Sequence, residues 1–363
     1  MKKILITTPS LVPHDAVGND VRMQRDELRE RGYQTFIHSQ RVHKSLQGEV
    51  TGFEEAEKIA ADPQSILIYH HSIVWERGFD LLAGSRCRVL VKYHNITPPD
   101  FFHKYDEKVA GETERGRQQT RDIIETGKVT RYIGDSGYNT RELIELGAPA
   151  DRCGVIAPYT KIDDFADAGL NMQLMKSLLD GRINVLFVGR VVPNKGYHHL
   201  IRVVDQYVAV YGDRIRLNLV GGFFPNPGFL HELEEEINSR SLGSVINFQR
   251  QVPFQDLHTY FACSHIFLVM SEHEGFCVPL LEAQYHKLPI IALDRAAVAE
   301  TSGAEQIIFE EADYLKFATA INVVAGNDAY RTYLGQQGHE NLQRFRREVI
   351  TNKTTRLLEE VSP

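Results

Sequence analysis

Only four cysteines occur in 363 residues, at 87, 153, 263 and 277, and none forms a CxxC pair. That leaves no framework for disulfides or for a thiolate zinc site. Three of the four adjoin apolar runs, as buried free thiols do. No apolar run approaches the roughly 20 residues of a membrane span. The run inside the opening MKKILITTPS is too short for a signal peptide, so the expectation is a cytoplasmic protein with at most peripheral membrane contact. Cations are not in excess: 41 Lys and Arg face 48 Asp and Glu, a net charge of −7, which argues against a dedicated nucleic-acid binder. The stretch after the first apolar run, TPSLVPHDAVGND, holds a single glycine, Gly18. It therefore lacks the G-x-G-x-x-G of dinucleotide-binding enzymes. There is no P-loop, no Asp-x-Asp, no solenoid-length repeat and no low-complexity tract.

What remains is an ordinary globular composition, 42% hydrophobic and 25% charged, in a chain long enough for about two domains, each with its own core. Short apolar strands alternate with amphipathic helices, the pattern of parallel sheets with right-handed crossovers. In the first half, strands are expected at 4–7, 35–38, 66–69, 89–93, just before Asp135-Ser136, and at 155–156. A helix is expected over 21–31, ended by Gly32. Residues 159–167 read as a linker. The rhythm restarts with strands at 184–188, 216–220, 245–248, 266–269, 290–293 and 306–308, and helices including 255–262 and 279–286. The tail, about 339–360, reads as helix. The fold class is thus α/β, with doubly wound domains at 1–160 and 161–339. In such sheets ligands bind outside the carboxyl ends of the strands.

Two motifs lie at such ends. Residues 274–282 read EGFCVPLLE, after a buried strand and before a helix whose first turn accommodates Pro279. One carboxylate, Glu274, falls in the loop and the other, Glu282, on the helix. The amides of Gly275, Phe276 and Cys277 sit at the helix N-terminus, where an anion or a sugar hydroxyl can be held. The spacing alone also fits a surface loop with two solvated glutamates. Residues 185–201 read VLFVGRVVPNKGYHHLI: a strand, Gly189, Arg190, then Lys195-Gly196 and a helix from about Tyr197. A guanidinium fork and a compact ammonium around one loop suit a diphosphate. Taken alone, the same pair fits two solvated cations equally well.

Together and in this order, the motifs resemble those of retaining family 4 glycosyltransferases, whose signature is Glu-x7-Glu. The resemblance covers nearly the whole chain. It implies the GT-B architecture, two Rossmann-like doubly wound domains facing across a cleft, with the last helix, about 340–363, packing back on the first domain. It implies that Arg190 and Lys195 hold the donor diphosphate, that Glu274 contacts the donor sugar, and that Glu282 binds the nucleotide ribose. The donor nucleotide-sugar would lie against Gly18, Gly189, Arg190, Lys195, Arg250, Gln251, Glu274, Gly275, Phe276, Cys277, Val278, Leu281 and Glu282. Arg250 and Gln251 stand where the family loop lies beside the base. No cofactor and no metal are implied; Arg190, Lys195 and a helix N-terminus would replace a divalent cation.

On the N-terminal side, Gly18-Asn19 replaces the two adjacent glycines usual in the family loop, which leaves acceptor binding open. His94, in YHNITPPDFF, resembles the family histidine that faces the donor sugar and would join Glu274, Arg190 and Lys195 in catalysis. It also fits a packed loop histidine. Asp135-Ser136, at a strand end where the family commonly has a serine, read as positioning residues, and Glu300 matches a family glutamate with a supporting role. The implied reaction moves a hexose from a UDP-sugar, with GDP-mannose the second choice, to a glycan or lipid-linked glycan in polysaccharide or glycoconjugate biosynthesis. A nucleotide-sugar epimerase of the same fold and a non-catalytic carbohydrate-binding relative remain as alternatives.

Overall fold

The computed structural model describes residues 3–13, 15–222 and 227–362. The chain divides into two compact units: Met1–His103, Glu107–Lys161 and Phe345–Pro363 form one, Lys104–Asp106 and Ile162–Arg344 the other.

The first unit holds a six-stranded parallel sheet of β1 (Lys3–Leu11), β2 (Gln34–Val42), β3 (Ile66–His71), β4 (Arg88–Tyr93), β5 (Val129–Gly134) and β6 (Cys153–Val155), in the order β2-β1-β3-β4-β5-β6. The second holds β7 (Ile183–Val188), β8 (Ile215–Val220), β9 (Ile246–Gln249), β10 (Ile266–Val269), β11 (Ile290–Leu293) and β12 (Ile307–Phe309), in the order β12-β11-β10-β7-β8-β9. Each chain path runs outward in one direction, then returns to the centre. The order therefore reverses between β1 and β3 in one sheet and between β7 and β10 in the other, and loops diverging at such points leave a crevice for ligands.

The strands are continuous apolar runs because both faces of each sheet are covered. In β7, Val185 and Phe187 pack with Leu217, Leu219, Ile266 and Leu268. Leu186, one residue out of phase, packs on the opposite face with Phe267, Val269 and Ile290. Pairing of Ile266 with Val185 and Phe267 with Leu186 sets the register of β10 on β7, so the loops after these strands emerge side by side.

Two expectations need correction. The first helix is Ala16–Glu30, not 21–31, because Asp15 caps it: its carboxylate accepts from Gly18 N at 2.9 Å. Gly18 thus belongs to a helical first turn rather than to a loop. The tail is not one helix but two, Asp328–Leu342 and Arg347–Val361, separated by the single turn Gln343–Phe345. The last helix belongs to the first unit, where the Tyr159 hydroxyl donates to Thr351 (3.1 Å) and Arg31 to Asn352 (3.1 Å).

Candidate active site

The loops after β7 and β10 meet at the switch point of the second sheet. Gly196 closes the turn Pro193–Lys195 with φ +65°, and a Cβ there would lie 1.9 Å from Met270 O. Only glycine lets the β7 loop approach the end of β10 so closely. Asn194 ties the two loops: its Nδ2 donates to His273 O (3.0 Å), and Glu272 N donates to Asn194 O (2.9 Å). The consequence is a contact between residues 79 apart in sequence, Lys195 Nζ donating to both carboxylate oxygens of Glu274 at 2.7 Å. The Lys195 and Glu274 side chains are 18% and 7% exposed. One of the three ammonium donors stays available, as do lone pairs on the carboxylate.

Arg190, five positions before Lys195 in sequence, is exposed, and its guanidinium has no partner among the described residues. Gly189 is held to the end of β8 by donation from its N to Val220 O (3.0 Å). After β10, Cys277 takes the left-handed φ of +69° immediately before the helix Val278–Tyr285. For a residue with a Cβ that costs on the order of 1–2 kcal/mol, and such strain gathers at functional loops. Burial and then the Glu274 carboxylate push the Cys277 thiol well up, so it is no nucleophile at neutral pH. Phe276 and Cys277 are buried and Leu281 is fully buried. The Leu281 side chain therefore meets packed protein. On the helix, the Glu282 carboxyl has no partner among the described residues, and burial pushes it up to about 7. Arg250 and Gln251 are exposed, just past β9.

The first unit carries a second cluster at the ends of β3, β4 and β5. His94 sits with Nδ1 on Asp135 Oδ2 (2.7 Å) and Nε2 on His70 Nδ1 (2.8 Å). His70 Nε2 in turn meets Gln24 Oε1 at 3.0 Å. Lys92 Nζ lies 2.8 Å from Asp20 Oδ2 and 3.7 Å from Asp135 Oδ1, while Tyr159 N donates to Asp20 Oδ1 at 2.7 Å. Asp20, His70 and Lys92 are almost wholly buried. Burial pushes the Asp20 carboxyl up, against the opposing pull of Lys92 and His94. Burial, with His94 and Lys92 nearby, pushes His70 well down, so His70 is neutral. Both ring nitrogens of His94 are thus engaged by protein, and a sugar hydroxyl reaches either only by displacing Asp135 or His70. Asp20, His70 and His94 also present three ligand atoms within 4.8 Å of one another, but the Lys92 ammonium already supplies positive charge to that Asp20 oxygen. Sequence reasoning singled out His94 and Asp135 and missed Asp20, His70 and Lys92. The available signal was a lysine inside an otherwise apolar strand, VLVKY.

Comparison with known proteins bears on this geometry. Residues 175–341 match the family model of glycosyl transferases group 1. The chain is 27% identical over 207 residues to the lipopolysaccharide core biosynthesis glycosyltransferase LpsE of Rhizobium meliloti, covering 54% of this chain and 56% of that protein. It is 26% identical over 235 residues to the D-inositol 3-phosphate glycosyltransferase of Kineococcus radiotolerans, covering 59% and 53%. The chain thus spans about half the length of these curated relatives. Among solved structures, it is similar to Anabaena HepE in complex with UDP-glucose (TM-score 0.77, 16% identity, 99% of this chain and 100% of that one). It is similar also to sucrose-phosphate synthase from Thermosynechococcus elongatus (TM-score 0.75, 17% identity, 99% of each chain). These likenesses establish the GT-B fold.

Proposed function

We propose that this chain, whose residues 175–341 match the glycosyl transferases group 1 family, is a retaining, metal-independent glycosyltransferase that moves a hexose from a nucleotide-diphospho-sugar to a glycan or lipid-linked glycan. A UDP-sugar is the favoured donor, which the UDP-glucose complex of HepE supports, and GDP-mannose the second choice. The role in polysaccharide or glycoconjugate biosynthesis draws support from the likeness to LpsE. No described helix is long and apolar enough to cross a membrane, in keeping with at most peripheral membrane contact.

The observation that carries the reading is the meeting of Lys195 with Glu274 at the switch point, together with an Arg190 guanidinium and a Glu282 carboxyl that have no partner among the described residues. Expelling a nucleoside diphosphate from an anomeric carbon places charge on phosphate oxygens. Arg190 and the remaining Lys195 donor neutralise that charge, and the amides at the start of the helix Val278–Tyr285 add fixed dipoles. Glu274, held by Lys195, orients the sugar and stabilises an oxocarbenium-like carbon. The Glu282 carboxylate accepts from the ribose hydroxyls, and the acceptor attacks from the face the leaving group vacates.

A thermal-shift series with UDP, GDP, ADP and NAD, each with and without EDTA, tests the donor. A ligand at 100 times its dissociation constant adds about 2.7 kcal/mol. A shift with UDP or GDP that survives EDTA is expected; no diphosphate shift, or a shift with NAD alone, refutes the reading. NMR of the anomeric carbon in the product tests retention.

A further inference from the structure

We propose that Asp20, His70 and His94 of the first unit form a site for one divalent transition-metal ion, zinc being the ion these ligands suit. The site does not rest on the glycosyltransferase reading. In that reading Arg190 and Lys195 hold the donor diphosphate without a metal, and this ion takes no part there.

Three elements bring these residues to one point: Asp20 lies on the helix Ala16–Glu30, His70 on β3, and His94 directly after β4. His70 Nδ1 is 2.8 Å from His94 Nε2. Asp20 Oδ2 is 3.7 Å from that His70 nitrogen and 3.8 Å from that His94 nitrogen. Zinc holds imidazole nitrogen at about 2.0–2.1 Å and carboxylate oxygen at about 2.0–2.2 Å, so tetrahedral ligand atoms stand roughly 3.3–3.5 Å apart. The observed distances bracket that range. The Asp20 and His70 side chains are 0% exposed and that of His94 is 5% exposed. Two imidazoles and a carboxylate withdrawn from water are donors for zinc rather than for magnesium or calcium.

The surrounding hydrogen bonds point the same way. His94 Nδ1 lies 2.7 Å from Asp135 Oδ2, and His70 Nε2 lies 3.0 Å from Gln24 Oε1. Carboxylate and amide oxygens accept, so each ring turns an N–H towards them. In neutral rings the other two nitrogens then face each other as bare lone pairs 2.8 Å apart, and these repel unless a cation lies between them. Metal-ligating histidines are tied in this manner, with the second N–H on a carboxylate or carbonyl. A single proton can bridge two nitrogens, but it makes no use of Asp20 Oδ2. That oxygen is buried, and no aligned hydrogen bond reaches it among the described residues, although Lys92 Nζ is 2.8 Å away as an ion pair. Tyr159 N already donates to the other oxygen, Oδ1. One ammonium, Lys92, faces two carboxylates, Asp20 and Asp135, and the surplus negative charge draws a cation.

The test uses the full chain, refolded from urea with Zn²⁺ or Co²⁺ and then desalted. Wild type is expected to retain about one ion per chain. The Co²⁺ form should show visible bands of four-coordinate geometry and no thiolate charge-transfer band, because no cysteine is a ligand. In competition with a chromophoric chelator, His70→Gln and Asp20→Asn should each weaken Zn²⁺ binding by about 100-fold or more. Asp135→Asn, which acts only through His94, should weaken it by about 10–100-fold. Nitrogen NMR of the wild type needs no variant to fold: Zn²⁺ should shift His70 Nδ1 and His94 Nε2, while His70 Nε2 and His94 Nδ1 keep their hydrogens. A refolded wild type that retains no ion, thiolate bands with Co²⁺, Zn²⁺ affinity undiminished in His70→Gln and Asp20→Asn, or ring nitrogens unmoved by Zn²⁺ overturns the proposal. UDP titration of the same samples decides the donor reading separately, so either can fail without the other.

Discussion

Replacing Arg190 with alanine separates catalysis from stability more cleanly than any other change at the site. The guanidinium is exposed and has no partner among the described residues, so its removal leaves no buried group unsatisfied. Folding stability should move by no more than about 0.5 kcal/mol. If the same group meets the leaving diphosphate, its loss removes stabilisation that grows with the transition state. Turnover should then fall on the order of 10²–10³, about 2.7–4 kcal/mol. Lys195→Ala is the instructive contrast. It strips the ion-pair partner from Glu274, whose side chain is only 7% exposed. A fully buried charge left alone costs about 3–5 kcal/mol, and the partial exposure of Lys195 brings the expectation to about 1–3 kcal/mol. The assay is UDP release from UDP-glucose, run beside urea unfolding of each variant. Arg190→Ala with near-native turnover refutes its role at the leaving group. Arg190→Ala with a stability loss matching that of Lys195→Ala refutes the claim that it stands unpartnered.

Glu282 should give pH-dependent nucleotide binding. Its carboxyl is raised from an ordinary 4.5 to about 7, and ribose hydroxyls need the ionised form, so UDP affinity should rise between pH 6 and 8 in calorimetry and stay flat in Glu282→Gln. The same shift means that the folded state holds a proton the unfolded chain has released. Stability should therefore decline as pH rises from 4.5 towards 7, by about 3 kcal/mol at most, and Glu282→Gln should flatten that decline in urea midpoints. Gly196→Ala forces a Cβ to 1.9 Å from Met270 O at a left-handed φ; it should lower the urea midpoint by the equivalent of about 2 kcal/mol or more with an unchanged slope. Lys92→Met leaves Asp20 and Asp135 buried without their ammonium and should cost about 3–5 kcal/mol at pH 7; burial already raises the Asp20 carboxyl, so the cost should shrink as pH falls, and a cost that does not change with pH would show that the cation is not balancing those carboxylates.

The two halves of the chain differed in how much they disclosed. Strands such as β7 and β10 were legible because burial on both faces leaves an uninterrupted apolar run, and the run ends where the functional loop begins. Glu274 and Lys195 could be named before their contact was known, since each lies within a short string whose local logic of strand, glycine and helix start is visible. The start of the first helix was misplaced although its signal was present: Asp15 is a good cap, but the glycine three residues later read as loop. The Asp20, His70, Lys92 and Asp135 cluster stayed hidden for a different reason. Its members come from a helix, two strands and a strand end, and nothing in any one segment states which of the others it will face.

That difference follows from what each site is built on. At β7 and β10 the groups proposed to meet the donor are backbone amides and side chains of adjacent loops, so that chemistry is encoded in stretches of about ten residues and survives reading one segment at a time. In the first unit the charges of Asp20, Asp135 and Lys92 are almost out of water, and their energetics have meaning only as a set, because an unpaired member costs more than the whole cluster gains. A lone Lys92 in an apolar strand is therefore a stronger statement than a lone surface lysine. It requires buried acids within a few ångströms, and Asp20 and Asp135 are those acids.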